Sequence, residues 1–224
     1  MPVPPNLLND DGTASMATMI LTSHHAFRRD LARFSRALAR SSASSTHQLD
    51  ALRREWQWFR GALHGHHESE DTRMFPFLRA EHPELATIFD RLAADHRAID
   101  PLLEQGDRAF NDPFDAAAAS TIVSSLQRLL DQHLALEEAE AIPLLRPAKQ
   151  FPAPSSDDEA AMYAQGFAWS LYGLAPGVVD EMLKLLPENL TTRLPAARAA
   201  FAARFLASWG EAMPQASQTS VPSE

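Results

Sequence analysis

Two stretches of this chain set a histidine and a glutamate four residues apart in the middle of an apolar helical stripe. In the first, His66 and Glu70 follow Trp56, Phe59 and Leu63 and precede Met74 and Phe77. In the second, His133 and Glu137 follow Leu126, Leu129 and Leu130 and precede Leu144. Residues four apart stack on one side of an α-helix, so each imidazole shares with its carboxylate the face that points at a core. A carboxylate buried there alone is costly. A metal cation neutralises it and uses the imidazole nitrogen as well. The two copies agree further: each has an acidic residue directly after the glutamate (Asp71, Glu138) and a proline six residues beyond it (Pro76, Pro143).

The apolar period around these stretches is helical throughout. A first helix, capped by Thr13 or Ser15, carries Ile20, Leu21, His24, Phe27, Leu31, Phe34 and Leu38, and a serine loop at 41–45 follows. A second is expected over 46–80, bent at Pro76. A third, over 84–110, carries Leu85, Ile88, Phe89, Leu92, Ala93, His96, Ile99 and Leu103. After a turn at 111–113, with Asp115 as a cap, a fourth is expected over 116–146. No stretch alternates with period two. The expected fold is all-α: an antiparallel up-down four-helix bundle over 13–148, preceded by an arm at 1–12. A proline- and serine-rich linker at 149–158 then leads to a C-terminal helical extension at 159–213 and a mobile tail at 214–224. The extension holds three amphipathic patterns, marked by Tyr163, Phe167 and Leu171, by Val179, Met182 and Leu186, and by Ala202, Phe205, Trp209 and Met213. Each needs a surface to lie against, which makes it a cover for the bundle or a homodimer contact. Because every proposed ligand precedes the linker, residues 1–150 alone are expected to bind metal.

Composition removes several classes of function. The chain has no cysteine, which excludes disulfides, iron–sulfur clusters, thiolate zinc sites and cysteine nucleophiles. A net charge of −9 without a Lys/Arg cluster argues against nucleic acid as a partner. No apolar run approaches the ~18 residues of a membrane-spanning helix, and the N-terminus lacks a signal-peptide pattern. A cytoplasmic protein without a membrane partner is the expectation.

Each bundle helix carries one histidine inside its stripe: His24, His66, His96 and His133. With Glu70 and Glu137 they offer four nitrogen and two carboxylate ligands. Two metals bridged by the carboxylates can use all six, and the ligand types suit iron, manganese or zinc. Among the other candidates, His25 is expected in a supporting or surface position, and His64 and His67 on the solvent side. Glu68, Asp71 and Glu138 are expected to point away from the stripe, roughly a hundred degrees from it. Asp100, four residues after His96, is a possible additional ligand. Ferritin-like sites need Glu-x-x-His, and none of the nine histidines has a glutamate three residues before it. His-Glu-x-x-His is absent too, which excludes a zincin.

Over roughly 14–148 the chain resembles the hemerythrin-like proteins, the HHE cation-binding family. The likeness rests on His24, on His66 and Glu70 before Phe75-Pro76, on His96, and on His133 and Glu137 before Ile142-Pro143. The extension resembles, more loosely, the helices carried by some bacterial members. The resemblance implies a cofactor of two non-haem irons, bridged by both glutamates and an oxo or hydroxo group. It implies a small ligand, such as oxygen, peroxide or nitric oxide, bound for carriage, sensing or defence. A di-iron enzyme acting on peroxide or nitric oxide is the alternative, with iron handling a further one. The chain departs from the oxygen carriers at one point. They use five histidines, two of them spaced by four on the third helix, whereas here Leu92 and Asp100 flank His96 at that spacing. One coordination position is therefore expected to fall to water, Asp100 or an exogenous ligand.

Overall fold

A computed structural model describes residues 6–40, 45–111, 113–151 and 153–210. Positions 1–5 of the expected arm, 41–44 of the serine loop, Asp112, Pro152, Met213 and the 214–224 tail lie outside the described residues. Those described form an all-α fold of long helices α1 (Met16–Ala39), α2 (Thr46–Ser69), α4 (Ala86–Phe110) and α5 (Ala116–Glu140). The short α3 (Phe75–Glu81) comes between α2 and α4, and α6 (Asp157–Ser170), α7 (Pro176–Leu185), α8 (Glu188–Thr191) and α9 (Leu194–Trp209) follow. Local chemistry sets the starts. Thr18 Oγ1 accepts from the Ser15 N–H before α1, and the Asp115 carboxylate accepts from the Ala118 N–H at α5.

The expected 46–80 helix is interrupted, and Pro76 explains how. Proline has no N–H, and its ring collides with the carbonyl four residues back. The chain opens one wide π turn, Glu70–Met74, closed by the Phe75 N–H on the Glu70 carbonyl. Pro76 then enters the first turn of α3, where its missing donor costs nothing. The wide turn holds an extra residue and shifts the inward face. Phe77, expected on the stripe, is 62% exposed, while Phe75 and Leu78 are buried in its place. Pro143 acts similarly on α5, which ends at Glu140 before a 3-10 turn at Ile142–Leu145.

In the bundle α1 packs on α5, α5 on α4 and α4 on α2. One end is filled by Phe34, Trp56, Phe59 and Phe110. The Trp56 ring lies parallel to Phe110 at 4.6 Å and donates from Nε1 to Asp107. It sits so closely over Gly106 that a Cβ there would overlap it.

The C-terminal helices share this core. α6 packs on α1 and on α9, and α9 packs on α2. Trp169 meets Phe27 edge-on at 4.9 Å, and Trp209 meets Phe34 at 5.0 Å. Polar contacts fix the same faces: Arg29 donates to the carbonyls of Trp169 and Tyr172, and Arg204 pairs with buried Glu55 at 2.9 Å. A smaller core of Met182, Leu186, Leu190 and Leu194 joins α7 to α9 with Met19 of α1. Among the described residues, no helix is long and apolar enough to cross a membrane.

Candidate metal centre

All six ligands expected from the sequence come together at the other end of the bundle core. His24, Glu70, His96, His133 and Glu137 are buried, and His66 nearly so. They form two groups whose donor atoms lie within 4.8 Å of one another: His67, Glu70, His96 and His133 in one, and His24, His66, Glu70 and Glu137 in the other. Glu70 belongs to both. Its Oε1 lies 2.9 Å from His66 Nε2 and its Oε2 lies 3.4 Å from His96 Nε2. Glu137 Oε2 lies 3.3 Å from His24 Nε2 and 3.8 Å from His133 Nε2.

His67 corrects the sequence reading. Expected on the solvent side, it is 4% exposed and stacks on His96 at 4.0 Å, nearly parallel. Its signal was a spacing of three to Glu70, since i and i+3 share a helix face as i and i+4 do. Asp100 is exposed and belongs to neither group, and His25 is half-buried outside both.

Asp71 and Glu138 also depart from expectation, because both face the outer nitrogens of the histidines. His24 Nδ1 donates to Glu138 Oε1 at 2.9 Å, and the Arg28 guanidinium donates to both oxygens of that carboxylate. Asp71 Oδ1 lies 3.0 Å from His96 Nδ1, and Asp95 Oδ2 lies 3.8 Å from His133 Nδ1. The halves mirror each other: the acid after Glu70 supports the histidine of α4, and the acid after Glu137 supports that of α1. A carboxylate on the outer nitrogen fixes the ring and makes the inner nitrogen a better ligand. The acidic residue repeated after each glutamate was the sequence signal for these contacts. Glu138→Ala is therefore expected to weaken metal affinity about 10–100-fold, and Glu68→Ala, at an exposed position, to leave it unchanged. Metal titration of the two variants checks this.

The donor set fits a cation. Both oxygens of Glu70 and of Glu137, His24 Nε2, His66 Nε2 and both nitrogens of His67 are buried without a hydrogen bond of good geometry. So many unsatisfied groups would be costly in an apolar core, whereas metal ions use all of these lone pairs at once. The imidazole nitrogens of His96 and His133 face each other at 3.2 Å, as two donors to one ion would.

Without a metal, the charges settle unevenly. Burial and the neighbouring Glu137 raise the Glu70 carboxyl to about 8. Burial pulls His24 down, but Glu137 and Glu138 more than offset it and raise it to about 9. Burial, with the charge of His24 beside it, lowers His66 to about 3, and burial lowers His133 to about 3. For Glu137, burial is outweighed by His24, and the group stays ionised. At pH 7 His24 and Glu70 thus each hold a proton that a cation must displace. Metal uptake at that pH is expected to release these protons, and apparent affinity to rise as pH climbs toward about 9 and to fall below about 8. Calorimetry in buffers of different ionisation enthalpy measures the protons released.

No curated protein and no solved structure gives a significant match to the chain. The model of the Hemerythrin HHE cation binding domain matches residues 15–145, which span α1 to the 3-10 turn after α5 and hold every residue of the two groups. The chain belongs to the hemerythrin HHE cation-binding family and carries additional C-terminal helices beyond the domain.

Proposed function

We propose that the chain is a non-haem di-iron protein that binds oxygen, or a related small ligand such as peroxide or nitric oxide, for carriage, sensing or defence. The observation that carries this reading is Glu70, a single carboxylate with one oxygen near each of two histidine groups. Such a residue suits a pair of ions better than one. His67, His96 and His133 with Glu70 would hold one ion, and His24 and His66 with both glutamates the other. Imidazole and carboxylate together suit iron. Five histidines are thereby available, as in the oxygen carriers, with His67 supplying the fifth from the second helix.

When bound, an iron pair supplies an electron from each ion to a ligand. The chain's own residues provide a dry surround: the Phe27 ring lies 5.3 Å from His66, and the Phe75 ring stacks on His96 at 5.6 Å. Leu63, Leu92 and Leu134, on the helices that carry the ligands, are fully buried. Excluding water protects a bound small molecule from proton-driven loss.

An absorption spectrum of the iron-loaded protein tests the reading, taken without oxygen, with oxygen, and after addition of peroxide or nitric oxide. Bands that appear with one of these ligands and vanish when it is removed support binding. Steady consumption of peroxide or nitric oxide supports the enzyme alternative. A spectrum that ignores all three ligands contradicts both.

A further inference from the structure

A file of aromatic rings leads away from the metal centre. Phe27 lies 5.3 Å from the His66 ring and 4.9 Å from Trp169, centroid to centroid, and Trp169 lies 4.9 Å from Trp58. Trp169 is buried, while Trp58 is half-buried at the surface of α2 with the Arg204 guanidinium 4.0 Å over its ring. The middle member comes from α6, so the C-terminal helices complete the file. Packing alone accounts for touching rings, but the indole N–H has a more particular environment. Trp169 Nε1 donates to Asp30 Oδ2 at 2.6 Å, and Asp30 is buried, with Arg29 and Arg33 on its other oxygen. A tryptophan that gives up an electron becomes strongly acidic at this N–H, and a carboxylate already waits there.

We propose that Trp169 and Trp58 form a one-electron relay between the His66 side of the centre and the protein surface, with Asp30 holding the indole proton. This rests on the reading of the site as one for a redox-active metal. Electron transfer slows steeply with distance, and tryptophan is among the most readily oxidised side chains, so two indoles in ring contact divide one long transfer into short steps. With hydrogen peroxide as the oxidant, each peroxide takes two electrons from the protein and two protons from water to give two water molecules. Each electron leaves the Trp169 indole toward the centre while the Nε1 proton moves to Asp30. Trp58 returns an electron to Trp169, and the proton goes back from Asp30 to Nε1. A one-electron reductant in solution then restores Trp58.

The test uses the full chain in two forms. In zinc-loaded protein, which has no metal redox chemistry, a photo-oxidant in solution removes an electron at the surface. Paramagnetic resonance should then find a deprotonated tryptophanyl radical on Trp169, and in Trp169→Phe the radical should stay on Trp58. A radical with the same spectrum and lifetime in wild type and in Trp169→Phe would overturn the relay, because no electron would then pass between the two indoles. In iron-loaded protein oxidised by peroxide, re-reduction by ascorbate should slow about tenfold in Trp169→Phe and in Trp58→Phe at unchanged iron content. Equal rates in all three proteins would also overturn it. Trp58 is half-buried, so its variant keeps the test open if Trp169→Phe folds poorly. A chain that takes up no redox-active metal would instead defeat the proposed function, and the zinc form would still show whether an electron passes between the two indoles.

Discussion

Glu70→Ala is expected to empty both metal positions, whereas Glu137→Ala should empty mainly one. Glu70 faces His66 with one oxygen and His96 with the other, and it is the residue common to both groups. Removing it takes a negative charge and a ligand from each position at once. Glu137 stands in only one group and lies no closer than 3.8 Å to His133. The alanine variant at 70 should fall from about two metals per chain to near none, and that at 137 to about one. Elemental analysis of folded, dialysed protein gives the ratio. A Glu70 variant that keeps as much metal as the Glu137 variant would show that the two glutamates are equivalent.

The second large effect is expected from deleting residues 151–224. Trp169, Phe201, Phe205 and Trp209 belong to the same core cluster as Phe27, Phe34 and Trp56. Losing one such buried ring costs roughly 3–5 kcal/mol, and a whole domain is stable by only about 5–15 kcal/mol. The deletion also strips contacts from two buried carboxylates: Asp30 loses the Trp169 N–H and keeps only Arg29 and Arg33, and Glu55 loses Arg204 and Ser208. The truncated chain should therefore aggregate or show no cooperative thermal unfolding. This runs against the expectation, drawn from the position of the ligands alone, that residues 1–150 suffice. A truncated protein that melts cooperatively and takes up metal at the full ratio would show that the bundle stands without its extension.

The contrast between these expectations marks what the sequence makes legible. Helical period and the two His-x-x-x-Glu spacings are local properties, so the four long helices and the meeting of His24, His66, Glu70, His96, His133 and Glu137 could be read residue by residue. Phe77 was misplaced because a regular helix was carried through Pro76, and a wide turn changes the register by a residue. His67 was misplaced because only one spacing was followed from Glu70, although three residues also return to the same face. The roles of Asp71 and Glu138 depend on which helix lies beside which. A stripe on one helix does not contain that information, even though the acids themselves stood in plain view after each glutamate. The shared core of the extension is likewise a matter of docking: amphipathic patterns say that a face is covered, not by what.

In the proposed centre one carboxylate, Glu70, joins two iron positions in a single buried site. Elemental analysis of wild-type protein purified from iron-replete cells tests it most directly. About two irons per chain are expected, falling to about one in His67→Ala, which removes a ligand from only one of the groups. A wild-type ratio near one, or zinc alone in the site, would contradict it.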